Sequence, residues 1–125
     1  MRLFRFVIST FTGLIFLMEG QTWAHSRLLS AIPSIDGEVV ELPTEISLEF
    51  STRIEADSVV LKLQGPGNAD VELGSVYLEN RGRSYYIKAP VRAKANNGVY
   101  TIYWTVVDAD DGHTSQGSFN FILER

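Results

Sequence analysis

Cysteine is absent from the 125 residues, and histidine occurs only twice. With no thiol there is no disulfide framework, no thiolate metal site and no cysteine nucleophile, so zinc ribbons and iron–sulfur clusters are excluded. Any metal has to be held by nitrogen and oxygen donors. Basic residues are also outnumbered, eleven Lys and Arg against fifteen Asp and Glu, for a formal charge of −4. That balance gives no electrostatic footing on a phosphate backbone, and no nucleic-acid partner is expected. No serine stands in a G-x-S-x-G context, and no G-x-G-x-x-G or Walker-type loop is present. Methionine occurs only as Met1 and Met18.

The first segment has the three parts of a secretory signal. Two arginines lie within Met1 to Arg5, Phe6 to Met18 is almost wholly apolar, and Glu19 to Ala24 is polar and ends in small residues. The apolar run is shorter than the ~20 residues that cross a bilayer, and Glu19 follows at once, which argues against an uncleaved anchor. Thr22 at minus three and Ala24 at minus one place the cut at Ala24–His25. Residues 1–24 are therefore expected to be a cleaved signal peptide and residues 25–125 a single domain. Removal of Arg2, Arg5 and Glu19 takes the formal charge from −4 to −5, and both methionines leave with the signal. A domain of this size buries about 65% of its unfolded surface, enough for one core but not for a core and a deep cavity.

That core reads as strands. Ile46, Leu48 and Phe50 alternate with Glu45, Ser47 and Glu49, the period-two pattern of a half-buried strand. Similar alternation appears at Val59, Leu61 and Leu63, at Val71 and Leu73, from Tyr100 through Ile102 and Trp104 to Val106, and at Phe119, Phe121 and Leu123. Turn formers separate these runs: Pro33 with Asp36-Gly37, Pro43, Gly65 to Asn68, Asn80-Arg81-Gly82, and Asn96-Asn97-Gly98. The spacing predicts an all-β fold, an antiparallel sandwich or Greek-key barrel of about seven strands. No stretch has helical periodicity, although Val91 to Ala95 can form one turn.

The two histidines hold the chemistry. After cleavage His25 is the N-terminus, so its α-amine and its imidazole Nδ1 can close a six-membered ring on one metal. An ordinary α-amine has a pKa of about 7.7–8.0, so a metal that competes well for nitrogen displaces its proton near neutrality. Cu(II) does this best among the first-row divalent ions and favours tetragonal N and O sets. His113 lies in Asp108-Ala109-Asp110-Asp111-Gly112-His113, where residues two apart in an extended segment face the same way. Asp111 and His113 can then share an ion, with Gly112 supplying the bend. Asp110 stands beside Asp111 as the alternative carboxylate. Taken singly, each element has a plainer reading: a solvated histidine, and an Asp-Asp-Gly hairpin turn.

These residues resemble the CopC family of periplasmic copper-binding, copper-resistance proteins. The start from His25 through Leu28 to Pro33, then Asp36-Gly37, is similar to the family's start. Pro43 with Ile46, Leu48, Glu49, Phe50 and Ser51 is similar to its "P…I-x-L-x-F-S" strand. The most specific match runs from Gly98-Val99-Tyr100 through Trp104 and Val106-Val107 into Asp111-Gly112-His113 and Gly117-Ser118-Phe119, like "G-x-Y-x-V-x-W-x-V-V…D-G-H…G-x-F". The resemblance implies a Greek-key barrel of immunoglobulin-like topology and one Cu(II) site formed by His25, Asp111 and His113. It also implies that Trp104 packs near the site and reports Cu(II) by fluorescence quenching.

Two departures stand out. Some members carry a methionine-rich Cu(I) site, which a mature chain without methionine lacks. The family often reads F-S-E-P where Phe50-Ser51-Thr52-Arg53 stands here, which removes an acidic group. The expected function is a non-catalytic, monomeric Cu(II) carrier or buffer in the periplasm, and the resemblance implies a CopD-type inner-membrane transporter as partner. Two other classes remain open. An N-terminal His chelate also occurs in lytic polysaccharide monooxygenases, for which Tyr77, Tyr85, Tyr86 and Tyr103 would have to form a flat face. A metal-free immunoglobulin-like module would be indifferent to copper.

Overall fold

Alternating sequence becomes alternating burial. The computed structural model describes residues 26–94 and 96–125, so residues 1–24 and His25, on which the export signal and the N-terminal chelate rest, lie outside the described residues. Strand β1 spans Leu28–Ile32, β2 Glu38–Val39, β3 Glu45–Phe50, β4 Val60–Gln64, β5 Asp70–Val71, β6 Tyr77–Arg81, β7 Ser84–Pro90, β8 Gly98–Val107 and β9 Thr114–Leu123. Seven of these have five residues or more, in line with the count expected, and β2 and β5 are two-residue additions. Short 3-10 turns occupy Ala56–Ser58 and Pro66–Asn68.

The strands form two sheets, one ordered β1-β3-β7-β6 and the other β2-β9-β8-β4-β5. The pairings are antiparallel except for β2, which lies parallel to β9. The all-β sandwich class is as the alternation indicated. Between the sheets sit Ile46, Leu48 and Phe50 of β3, Ile87 of β7, Tyr100, Ile102, Trp104 and Val106 of β8, and Phe119, Phe121 and Leu123 of β9. Tyr100 stacks on Phe121 with ring centroids 5.2 Å apart, and Phe50 meets Trp104 edge-on at 5.1 Å. Such pairs add about 0.5–1.5 kcal/mol each beyond the area they bury.

Two local readings differ. Val91 starts no helical turn: it bridges to Leu73, and its N–H donates to the Thr44 carbonyl at 2.9 Å. Val91 and Arg92, whose N–H donates to the Glu72 carbonyl at 2.9 Å, are thus tied to neighbouring segments, which outweighs the short-range preference. Leu73 correspondingly lies beyond β5, in that isolated bridge.

The outer face of the four-stranded sheet is polar. Glu49 accepts hydrogen bonds from the Ser30 and Tyr86 hydroxyls at 2.9 and 3.0 Å, and Glu79 pairs with Lys88 at 2.6 Å and Arg81 at 2.8 Å. These partners, with the Ser84 hydroxyl first for Glu49, hold both carboxyls below the ordinary glutamate range.

Candidate metal centre

Strand β8 carries the inward phase one step past its last core residue. Tyr100, Ile102, Trp104 and Val106 point into the core, and the next inward position is Asp108, only 2% exposed. A charge at such a position needs partners, and it has them. Oδ1 accepts the N–H of Asp110 at 2.8 Å and of Asp111 at 3.2 Å. Oδ2 accepts the Thr52 hydroxyl at 2.8 Å. Thr52 has one hydroxyl proton, so the 2.8 Å contact between Thr52 Oγ1 and Ser26 Oγ is donated by Ser26. Ser26 Oγ also lies 3.5 Å from Oδ2, at the limit of a hydrogen bond.

Burial on its own would raise the Asp108 pKa, but the Thr52 hydroxyl, the two backbone N–H groups and Ser26 together outweigh it and hold the carboxyl low. Like Glu49 and Glu79, Asp108 is therefore depressed in the folded state. The stability from these groups is complete above the unfolded carboxylate values of about 3.9–4.3 and is lost as pH falls through the lower folded values. Thermal midpoints should be level from pH 7 to about 5 and fall steeply below about pH 4. An acid limb that begins near pH 6 would contradict this.

Asp108 also shapes the loop between β8 and β9. Its N–H donates to the His113 carbonyl at 2.8 Å, and its carbonyl accepts the Gly112 N–H at 2.9 Å. Gly112 turns the chain at φ +73°, a region open to glycine. Inside this turn Asp111 Oδ1 accepts the His113 N–H at 2.8 Å, and Asp111 Oδ2 stands 3.4 Å from His113 Nδ1. The two side chains meet as expected, but by a different route. Asp111 lies in a turn and reaches forward through an Asx-type bond, not through the i, i+2 alternation of an extended strand.

Asp110 points elsewhere. Its Oδ1 is 3.1 Å from Arg53 Nη2. The Phe50-Ser51-Thr52-Arg53 departure thus has a structural use, with Thr52 spent on Asp108 and Arg53 on Asp110. The tyrosines do not form one face. Tyr77 bonds Glu45 and Tyr86 bonds Glu49 on the outside of one sheet, Tyr103 faces out from the other, and half-buried Tyr85 shares the inward parity of Ile87.

Among the described residues no three His, Asp or Glu side chains stand close enough to hold a metal. Asp111 and His113 bring one carboxylate and one imidazole together. The segment beginning at Ser26 is held at the base of this loop.

A family model, the CopC domain, matches residues 28–124. The chain belongs to the CopC family. Protein YobA of Escherichia coli K12 is 28% identical over 108 residues, 86% of each sequence. Among solved structures, PcoC of Escherichia coli, described as a methionine-rich copper resistance protein, is 26% identical with a TM-score of 0.67, covering 81% of this chain and all of that one. CopC from Methylosinus trichosporium OB3b is 24% identical with a TM-score of 0.62, covering 80% of this chain and 94% of that one, and shows the same fold. Among the described residues no helix is long and apolar enough to cross a membrane.

Sequence reasoning missed Asp108 and the hydroxyl chain from Ser26 through Thr52. The signal was there: parity along β8 puts an aspartate at an inward position, and a buried carboxylate implies a hydrogen-bonded purpose.

Proposed function

We propose that this CopC-family protein is an exported, non-catalytic Cu(II) carrier or buffer of the periplasm, binding one ion per chain as a monomer. The ligands are the α-amine and imidazole of His25, the Asp111 carboxylate and the His113 imidazole. One observation carries the reading. Ser26, one peptide bond from His25, is tied through Thr52 to Asp108 at the base of the loop on which Asp111 meets His113.

The fit to the ion is chemical. Donors on adjacent corners of a tetragonal set stand roughly 3 Å apart when each is about 2.0–2.1 Å from a metal. The 3.4 Å between Asp111 Oδ2 and His113 Nδ1 needs little closure. Three nitrogens and one oxygen suit Cu(II), and no methionine follows Met18 to supply the thioethers that Cu(I) favours. The methionine richness of PcoC has no counterpart in this domain. Family membership and the likeness to PcoC, a copper resistance protein, support copper as the cargo. Delivery to a CopD-type inner-membrane transporter is the partner reading that follows from the family.

Copper titration followed by electron paramagnetic resonance tests this. A single tetragonal type-2 signal at one equivalent is expected, with quenching of Trp104, the sole tryptophan after residue 24. His113→Ala and Asp111→Asn should each weaken binding by about a hundredfold or more, beyond the 10–100-fold that loss of an outer partner costs. Asp110→Asn should change it less than about threefold, because Asp110 is turned to Arg53. Equal losses at Asp110 and Asp111 would reject this ligand assignment.

A further inference from the structure

Three separate segments converge on one buried carboxylate. Asp108 gathers the backbone N–H groups of Asp110 and Asp111, the Thr52 hydroxyl after β3 and, through it, the Ser26 hydroxyl ahead of β1. A bulge in β1 makes the last contact possible. Ala31 pairs with Leu48 and Ser30 with Glu49, but Leu28, not Leu29, pairs with Phe50. Leu29 is the extra residue. The inward phase therefore moves from Ala31 to Leu28 and Ser26, while Arg27 exchanges hydrogen bonds with Ser51 and faces out. In unbroken register Arg27, not Ser26, would stand opposite Thr52, putting a cation beside Asp108.

We infer that Asp108 is the positioning residue of the copper site. Its carboxylate holds the turn in which Asp111 is directed at His113, and it fixes the segment that follows His25 against that turn. It is not a ligand, since each oxygen already accepts hydrogen bonds from the protein and the side chain is 2% exposed. A carboxylate suits this task because it is acceptor-only and can serve two N–H groups and a hydroxyl together. The inference rests on the Cu(II) reading above and adds to it the group that pre-assembles the site.

The test is a competition titration with Cu(II), read also by electron paramagnetic resonance, on wild type, His113→Ala, Asp108→Ala, Asp108→Asn and Thr52→Val. Metal-free melting curves report folding. Asp108→Ala should lose about 10–100-fold in affinity, the usual cost of removing an outer partner. Asp108→Asn should return to within about threefold of wild type with an unchanged spectrum. Its amide oxygen still accepts both N–H groups, and its NH2 donates to Thr52 Oγ1. Thr52→Val should fall between the two. Wild-type affinity in Asp108→Ala would overturn the inference, as would an Asp108→Asn loss equal to that of alanine or an altered spectrum, which would mark a charge or ligand role. If Asp108→Ala does not fold, the other two decide: unchanged affinity in Thr52→Val, or a tenfold loss in Asp108→Asn, rejects it. Wild type and His113→Ala test the underlying reading separately, because wild type that binds no Cu(II), or His113→Ala that binds equally well, defeats the copper site itself.

Discussion

A six-residue extension of alternating Gly and Ser ahead of His25 is expected to weaken Cu(II) binding by about a hundredfold or more while leaving the metal-free melting temperature unchanged. A hundredfold is about 2.7 kcal/mol. The extension leaves the imidazole in place and takes away only the α-amine, which becomes an amide and no longer binds a metal by losing an ammonium proton. The extension has to be long enough to carry the new amine out of reach. One or two added residues make a poorer test, because the new amine, the intervening amide nitrogens and the His25 imidazole form a new chelate, tightest when His25 becomes the third residue. Proton linkage gives a second readout. In the proposed site copper has to displace the proton of an amine whose ordinary pKa is about 7.7–8.0, so affinity should rise with pH up to that range. In the extended chain that part of the rise should vanish. The fold has no reason to respond, since the contacts that hold the chain start, from Ser26 to Thr52 and from Arg27 to Ser51, lie after the altered residue. Equal affinity in the two chains would remove the amine from the site, and mass spectrometry of the exported protein showing a first residue other than His25 would do the same.

Strands β3, β8 and β9 were legible because nothing interrupts their alternation: every second residue from Tyr100 to Val106 and from Phe119 to Leu123 is apolar and buried. Strand β1 was not, and the bulge at Leu29 explains it, because Leu28 and Ala31 both turn inward and are three apart. Strands β6 and β7 were hidden for another reason. Tyr77 and Tyr86 face outward onto Glu45 and Glu49, so apolar character does not separate their two faces. At the site, the pairing of Asp111 with His113 could be read from D-x-H spacing. Its mechanism could not, because the Asx-type turn depends on Asp108 binding the N–H of Asp110 and Asp111. In the sequence Asp108 looks like one more acid in a polar loop. Counting inward positions along β8 is what separates it from its neighbours, and the count is reliable only once register with β9 is known.

Gly117→Ala is expected to lower the melting temperature by about 5–20 °C. Gly117 pairs with Trp104 across the β8–β9 ladder. A Cβ there would stand 2.6 Å from Trp104 Cζ2, 2.9 Å from Cε2 and 3.2 Å from Nε1. Its backbone is not in the left-handed region, so the obstacle is the indole alone. The ring cannot bend, and it is set edge-on against Phe50, which is itself fully buried. Relief therefore requires either a new indole rotamer or a separation of the two strands. Overpacking of this kind costs about 1–3 kcal/mol, and in a domain near 100 residues each kcal/mol moves the midpoint by roughly 4–8 °C. Trp104 is 9% exposed, so an expelled ring should shift its emission to longer wavelength. A second change, Trp104→Phe, shrinks the ring beneath the new methyl group, and the double variant should lose less than the two single changes added together. Copper affinity should change little, because the turn from Asp108 to His113 is held by Asp108, Gly112 and Asp111 beyond the crowded pair. A Gly117→Ala protein that melts within about 2 °C of wild type would show that Trp104 is not confined as its contacts imply.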